Sequence, residues 1–442
     1  MTSPDKTRRV GALLILTLTY AVSLMDRQLL SLLQEQVKHE FHLTDASLGM
    51  LTGLSFAIFY GGLAIPVAWL ADRTHRVNIV AAGFAIWSAA TLACSLAHSY
   101  LQLMLLRIGV AIGEAASLAP SQSIIGTLYA PRERGRALAI LSSGAGVGLV
   151  VGLPIGGWIA SHYGWRMAFL VFGAPGLLLA VLVKSAVAEP TSNHRNRPTE
   201  HADGQSFAAA VSAVLRKRAS RTLIIAHGCA AGFGNVLLIW LPSLMIRTFH
   251  MTTQSAGFGM AALSAGAIIP GLLLGGHIGD RLVRRTGDAA VLIKMSMGCV
   301  GAGFPALVAL AWMPSIPLLL LCSYLAMFLI QLAVGPVFSL IQVSVEARQR
   351  ALASALAAFG TNVVGLGLAP TLLGYVSDLS HPALGDNSLR FALSLTGCFL
   401  ALALVAFRHA LRDAPALSAA YADGFTEHRA NGVGREEIAQ PL

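Results

Sequence analysis

Ala68-Trp69-Leu70-Ala71-Asp72-Arg73-Thr74-His75-Arg76-Val77 and, 208 residues further on, Gly276-His277-Ile278-Gly279-Asp280-Arg281-Leu282-Val283-Arg284-Arg285 are two copies of one charged turn, each closing an apolar stretch. A second pair repeats at a similar offset, Arg134-Gly135-Arg136-Ala137-Leu138-Ala139 against Arg348-Gln349-Arg350-Ala351-Leu352-Ala353. The chain therefore reads as two copies of one unit. Duplicated apolar units with basic turns on one side are the usual build of secondary transporters, which bind substrate between their halves.

Composition sets the class. Hydrophobic residues make up 55% and charged residues 12% of the 442 positions, and the mean hydropathy is +0.67, whereas a soluble globule carries roughly 25% charge. Apolar segments fall near residues 11–36, 47–71, 77–97, 101–128, 137–161 and 165–187, and again near 221–246, 255–279, 288–312, 315–344, 351–376 and 389–411. Each is long enough to cross a hydrocarbon core about 30 Å thick. The expected fold is an all-α integral membrane protein of twelve transmembrane helices, in two six-helix pseudo-symmetric bundles around a central cavity. Residues 1–187 form the N-terminal bundle, 188–220 a cytoplasmic linker whose end can lie as a short interfacial helix, 221–411 the C-terminal bundle and 412–442 a polar, disordered cytoplasmic tail. The first apolar run is too long, and too polar at its far end, for a cleavable signal.

Of the 31 Lys and Arg residues, 25 fall on the side of the termini, the linker and the charged turns, which the positive-inside rule makes the cytoplasm. That asymmetry accounts for the net charge of +10 without any nucleic-acid partner. The expected location is the cell inner membrane, multi-pass, with both termini cytoplasmic. Five isolated cysteines within apolar runs read as small core residues rather than a disulfide or metal framework. No paired nucleophile and base, metal-ligand cluster or phosphate-binding loop is present, so neither an enzyme nor a cofactor is expected.

The charged turns, together with helix 5 residues Gly148-x-x-x-Gly152-Leu153-Pro154-Ile155-Gly156-Gly157 and the following Gly164-Trp165-Arg166, resemble the major facilitator superfamily over nearly the whole chain. Ala68 and His75 stand where that pattern usually has glycine. Within the superfamily the sequence is similar to bacterial spinster-like proteins, through Met25-Asp26-Arg27, Arg107-Ile108-Gly109-Val110-Ala111-Ile112-Gly113-Glu114-Ala115, Ala119-Pro120 and Pro131-x-x-Arg134-Gly135-Arg136. The resemblance implies proton-coupled movement of an amphipathic lipid such as a lysolipid or sphingoid lipid, by a monomer as the superfamily usually is.

Asp26, Arg27, Arg107 and Glu114 lie within apolar spans, where each charge costs roughly 2.5 to 3.5 kcal/mol and needs a partner. A rise of about 1.5 Å per residue puts Asp26 and Arg107 at nearly the same depth, with Glu114 about 10 Å nearer the termini. Asp26, Arg107 and Glu114 are the expected proton-coupling set, with Arg107 pairing with Asp26 or orienting Glu114. The alternative is a fixed ion pair, with Arg27 snorkelling outward. Arg27, His227, Asn235, Trp240, Gln331 and Asn362 are candidate substrate contacts. Asp72, Arg73, Arg76, Arg134, Arg136, Asp280, Arg281, Arg284 and Arg285 are candidates for a cytoplasmic gate. Central charge is confined to the first half, and a charged wall facing an apolar one suits an amphipathic small-molecule or lipid substrate. A second reading is a proton symporter of a small organic anion held by Arg27 and Arg107.

Overall fold

The computed structural model describes residues 3–189, 207–346 and 349–421, and all regular structure among them is helical. Ten helical stretches are long and apolar enough to cross a membrane. Two of them each hold two spans. Helix α7 (Pro131–Ala186) is broken at Gly164, whose φ of +82° few side chains tolerate, and residues 352–421 turn back near Gly385, φ +54°. Twelve spans result, six on either side of the linker, and the chain is a multi-pass membrane protein.

In the first half, α1 (Ser3–Phe41) is span 1, and α2 (Asp45–Gly49) with α3 (Ser55–Arg73) is span 2. Helix α4 (Arg76–Cys94) is span 3, α5 (Tyr100–Ala115) with α6 (Leu118–Leu128) is span 4, and α7 supplies spans 5 and 6. After α8 (Phe207–Arg216), the second half follows the same order. It comprises α9 (Arg218–Phe249), α10 (Thr253–Leu263) with α11 (Ile269–Thr286), α12 (Ala290–Leu310), α13 (Ile316–Val343), α14 (Arg350–Gly360) with α15 (Ala369–Leu384), and α16 (Ser388–Leu395) with α17 (Gly397–Ala410). Spans 2 and 8 each contain one π-helical turn, Met50–Leu54 and Ser264–Ile268, 214 residues apart, so the duplication extends to this backbone irregularity. A longer π segment, Thr361–Leu368, interrupts span 11. Such turns re-aim a helix without breaking it.

Glycine spacing seats α1. A Cβ on Gly144, Gly148, Gly152 or Gly156 of α7 would strike Thr17 O at 2.5 Å, Ala21 O at 2.1 Å, Met25 Cγ at 1.8 Å and Leu29 Cδ1 at 2.6 Å, respectively. Both series step by four, so one bare stripe of α7 lies along one stripe of α1. Small residues at this period let helix backbones approach closely where lipid provides no hydrophobic drive. The contact fixes the rotation of α1, and with it the aim of Asp26 and Arg27. Gly113 does the same between α5 and α4, where a Cβ would meet Trp87 N at 2.4 Å and Gly83 O at 2.6 Å.

Two expectations are corrected. The start of the C-terminal tail is helical to Tyr421: Ser418 Oγ donates to Asp288 Oδ1 at 2.8 Å, and the Tyr421 hydroxyl meets Ser339 Oγ. Its polar residues are held because Asp288 and Ser418 satisfy the open N–H groups at the start of α12. Residues 422–442 lie outside the described residues. Cys398 is exposed on α17 instead of packed in the core, Cys322 is half-buried, and Cys94, Cys229 and Cys299 are buried; all five are free thiols.

Candidate functional site

Two ion pairs join α1 to α5. Asp26 Oδ2 accepts from Arg107 Nη1 at 3.4 Å, from Trp87 Nε1 at 2.9 Å and from Thr91 Oγ1 at 3.1 Å. Both members are sealed, Asp26 at 0% and Arg107 at 1% exposure. Asp26 Oδ1 and Arg107 Nε are buried with no hydrogen-bond partner, which is uncommon for buried polar atoms.

Nearer the termini, Glu114 Oε1 accepts from Arg27 Nη2 and from Ser23 Oγ, each at 2.6 Å, and Arg27 Nε lies 3.4 Å from Oε2. The Arg27 guanidinium stacks over Tyr60 at 4.6 Å and Phe56 at 4.9 Å from the ring centroids, a cation–π shelf. Arg27 keeps 17% of its side chain exposed, against 2% for Glu114. Adjacent residues on α1 thus serve two partners on one face of α5. Arg27, not Arg107, holds Glu114, and it does not snorkel outward. Tyr60 adjoins Gly61, whose open face lies against Phe359 and Asn362 of the opposite half, so this pair sits near the seam between the halves.

Buried charge is one-sided. Every buried ionised side chain described, Asp26, Glu35, Asp45, Arg76, Arg107 and Glu114, belongs to the first half, whereas the second half buries His227 against Phe338. The other sequence candidates are not gathered round one point. Asn235 is half-buried and donates to Ala231 O at 3.0 Å within its own helix. Trp240 is fully buried and donates to Pro370 O at 3.0 Å, so it ties α9 to α15. Gln331 packs against Gly271 of α11.

The charged turns at the end nearest the termini are open to solvent. Arg134, Arg136, Asp280, Arg281, Arg284 and Arg285 are exposed, and no ion pair among the described residues joins them to the opposite half. Arg76 is buried within its own half, with Nη1 3.3 Å from Thr127 Oγ1 and its backbone N–H donating to Glu189 Oε1 at 3.1 Å. The side chains of Asp72 and Arg73, and all of Arg348, fall outside the described residues.

The halves are instead clasped at the far end, by residues the sequence reading had passed over. Arg247 of α9 donates to Glu35 Oε2 at 2.8 Å and to both oxygens of Asp45 at 2.8 and 2.7 Å. Lys38 and Ser377 also donate to Asp45. Asp378 of α15 returns the grip, accepting the N–H groups of Asp45 at 2.9 Å and Ala46 at 2.7 Å at the start of α2. Gln34 Nε2 donates to Ile239 O at 2.9 Å and Ser243 Oγ at 2.6 Å. The clasp residues themselves line a cavity of about 630 Å³ in the far face. These charges sit at helix ends, where sequence alone offers a topology anchor as the simpler reading. The one signal available was the run of polar residues Gln34-Glu35-Gln36 inside an apolar span.

Comparison with known proteins gives a consistent answer. Residues 16–370 match the family model described as Major Facilitator Superfamily. The chain is 30% identical over 390 residues to an MFS-type efflux pump of Mycolicibacterium smegmatis, covering 88% of this chain and 89% of that one. It is 26% identical to a probable L-galactonate transporter of Escherichia coli, covering 91% and 89%. It also resembles the crystal structure of a bacterial homolog to the human lysosomal transporter Spinster in an inward-facing, unoccupied conformation, with TM-score 0.81, 26% identity, and coverage of 94% and 99%.

Proposed function

Since the chain belongs to the Major Facilitator Superfamily, and is a membrane transporter of small molecules and not an enzyme, we propose that it is a proton-coupled secondary transporter working by alternating access. Its substrate is an amphipathic, lipid-like molecule such as a lysolipid or sphingoid lipid. The observation that carries this reading is the one-sided burial of charge. A headgroup can exchange with Glu114 at the partly exposed Arg27 on its aromatic shelf, while the apolar wall of the second half receives a tail.

Proton coupling is assigned to the two carboxylates. Taking up a proton on Glu114 would release Arg27 for substrate, and Asp26 Oδ1, which lacks any donor, is where a second proton would sit. With the termini in the cytoplasm, the clasped face is the outer one and the open turns face inward. The positive-inside bias supports that orientation, as does the likeness to a structural neighbour in an inward-facing conformation.

A second reading, symport of a small organic anion, is favoured by the same exposed guanidinium, an ideal carboxylate partner, and by the sugar-acid substrate in the name of the Escherichia coli relative. Flux of a fluorescent lysolipid and of a labelled short organic acid into proteoliposomes, with and without an imposed pH gradient, separates the two. Gradient-driven movement of the acid alone overturns the lipid reading.

A further inference from the structure

Helix α1 carries a second feature that extends beyond the coupling pairs. Ser23, Arg27, Ser31, Gln34 with Glu35, and Lys38 recur at steps of three or four along it, which keeps them on one side of the helix. Ser23, Ser31, Gln34 and Glu35 are buried. This polar stripe runs from Glu114, held by Ser23 and Arg27, toward the clasp at the outer end. Glu35 lies eight residues beyond Arg27, about 12 Å along the axis.

Glu35 is also one of the points where the two halves meet chemically. Its oxygens accept from Arg247 Nε at 2.8 Å and from Ser243 Oγ, both on α9 of the other half. Beside it, Gln34 Oε1 is fully buried with no donor, an acceptor left open within the stripe. The ionisable groups bordering Glu35 and the outer cavity come from four elements. Helix α1 supplies Lys38 and His39, α2 supplies Asp45, and α9 supplies Arg247 and His250. Across the cavity, α15 and the turn after it bring Asp378, His381 and Asp386.

We propose that Glu35 is the outer-face proton acceptor of the transport cycle, and that Arg247 controls when it can be loaded. In the clasped state the guanidinium occupies the carboxylate. When the second half swings outward, Arg247 and Ser243 leave with α9. Glu35 then takes a proton from water in the outer cavity, and water entering along the opened stripe carries it to the carboxylate of Glu114, restoring Glu35 as a carboxylate. Breaking one ion pair therefore both opens the outer face and admits the proton, which ties the two events together. This inference rests on the proton-coupled reading above.

The test needs no substrate. Spin labels at Tyr163→Cys and Trp312→Cys, exposed positions at the outer end of opposite halves, in a background whose native cysteines are replaced by alanine, report outer opening in lipid nanodiscs titrated from mildly alkaline to acidic pH. The wild type gains outer-open population on acidification. Glu35→Gln stays open and loses the pH dependence, whereas Asp45→Asn opens further and keeps the pH dependence with its midpoint moved to higher pH, because it weakens the clasp without removing the acceptor. Should Glu35→Gln not fold, Glu35→Asp serves instead and shifts the midpoint. A wild-type midpoint in Glu35→Gln, or in Glu35→Asp where that stands in, overturns this inference alone. A wild type insensitive to pH overturns the coupling reading as well.

Discussion

Arg27 and Glu114 meet at 2.6 Å between α1 and α5, two turns from a second pair, Asp26 with Arg107, that the same two helices share. One pair is partly open and the other sealed, so they differ in access and not in chemistry. Removing one partner of a buried pair leaves an uncompensated charge, at a cost of about 3 to 5 kcal/mol. Arg107→Ala is therefore expected to lower the unfolding temperature in detergent more than Arg27→Ala, because Arg107 is sealed at 1% exposure whereas the Arg27 side chain is already 17% exposed. Equal losses would show that exposure does not distinguish the pairs.

The glycine stripe of α7 yields a sharper contrast. Gly148→Ala places a methyl 2.1 Å from Ala21 O, backbone that cannot give way, whereas the Cβ of Gly62→Ala meets nothing within 4 Å. The first variant should lose most of its monodisperse yield in size-exclusion chromatography, and the second should match wild type. A well-folded Gly148→Ala protein would contradict the seating of α1 described here.

At the outer clasp, Asp378 caps the start of α2 from the opposite half. Losing a cap of this kind costs about 0.5 to 2 kcal/mol, here charged wholly to the closed state. With Ser31→Cys, buried on α1 below the clasp, as the reporter in a background whose native cysteines are replaced by alanine, Asp378→Ala should raise the rate of labelling by a membrane-impermeant maleimide severalfold. An unchanged rate would mean that the cap does not hold the face shut.

Much of this was legible in the residues. The repeated turns gave the duplication, hydropathy gave the spans, and counting along α1 and α5 brought Asp26 level with Arg107. Counting gives depth but not which neighbour a side chain turns toward, and so Arg27 could not be matched with Glu114. That match depends on the rotation of α1, set by the glycine stripe of α7, and on Phe56 and Tyr60 lying beneath the guanidinium. The outer clasp was illegible for another reason. Glu35, Asp45, Arg247 and Asp378 come from four segments with no shared spacing, and only the packing of the halves assembles them. The π turns of spans 2, 8 and 11 carry no composition that marks them.

The most direct test of the central claim is flux into proteoliposomes under an imposed pH gradient, comparing wild type with the double variant Asp26→Asn, Glu114→Gln. The probe is whichever of the fluorescent lysolipid and the labelled organic acid the wild type moves. The account predicts that gradient-driven accumulation disappears in the variant while exchange of the probe at equal pH persists, because the halves and their outer clasp are left intact. Undiminished gradient-driven accumulation in the double variant would contradict the assignment of these carboxylates to proton coupling.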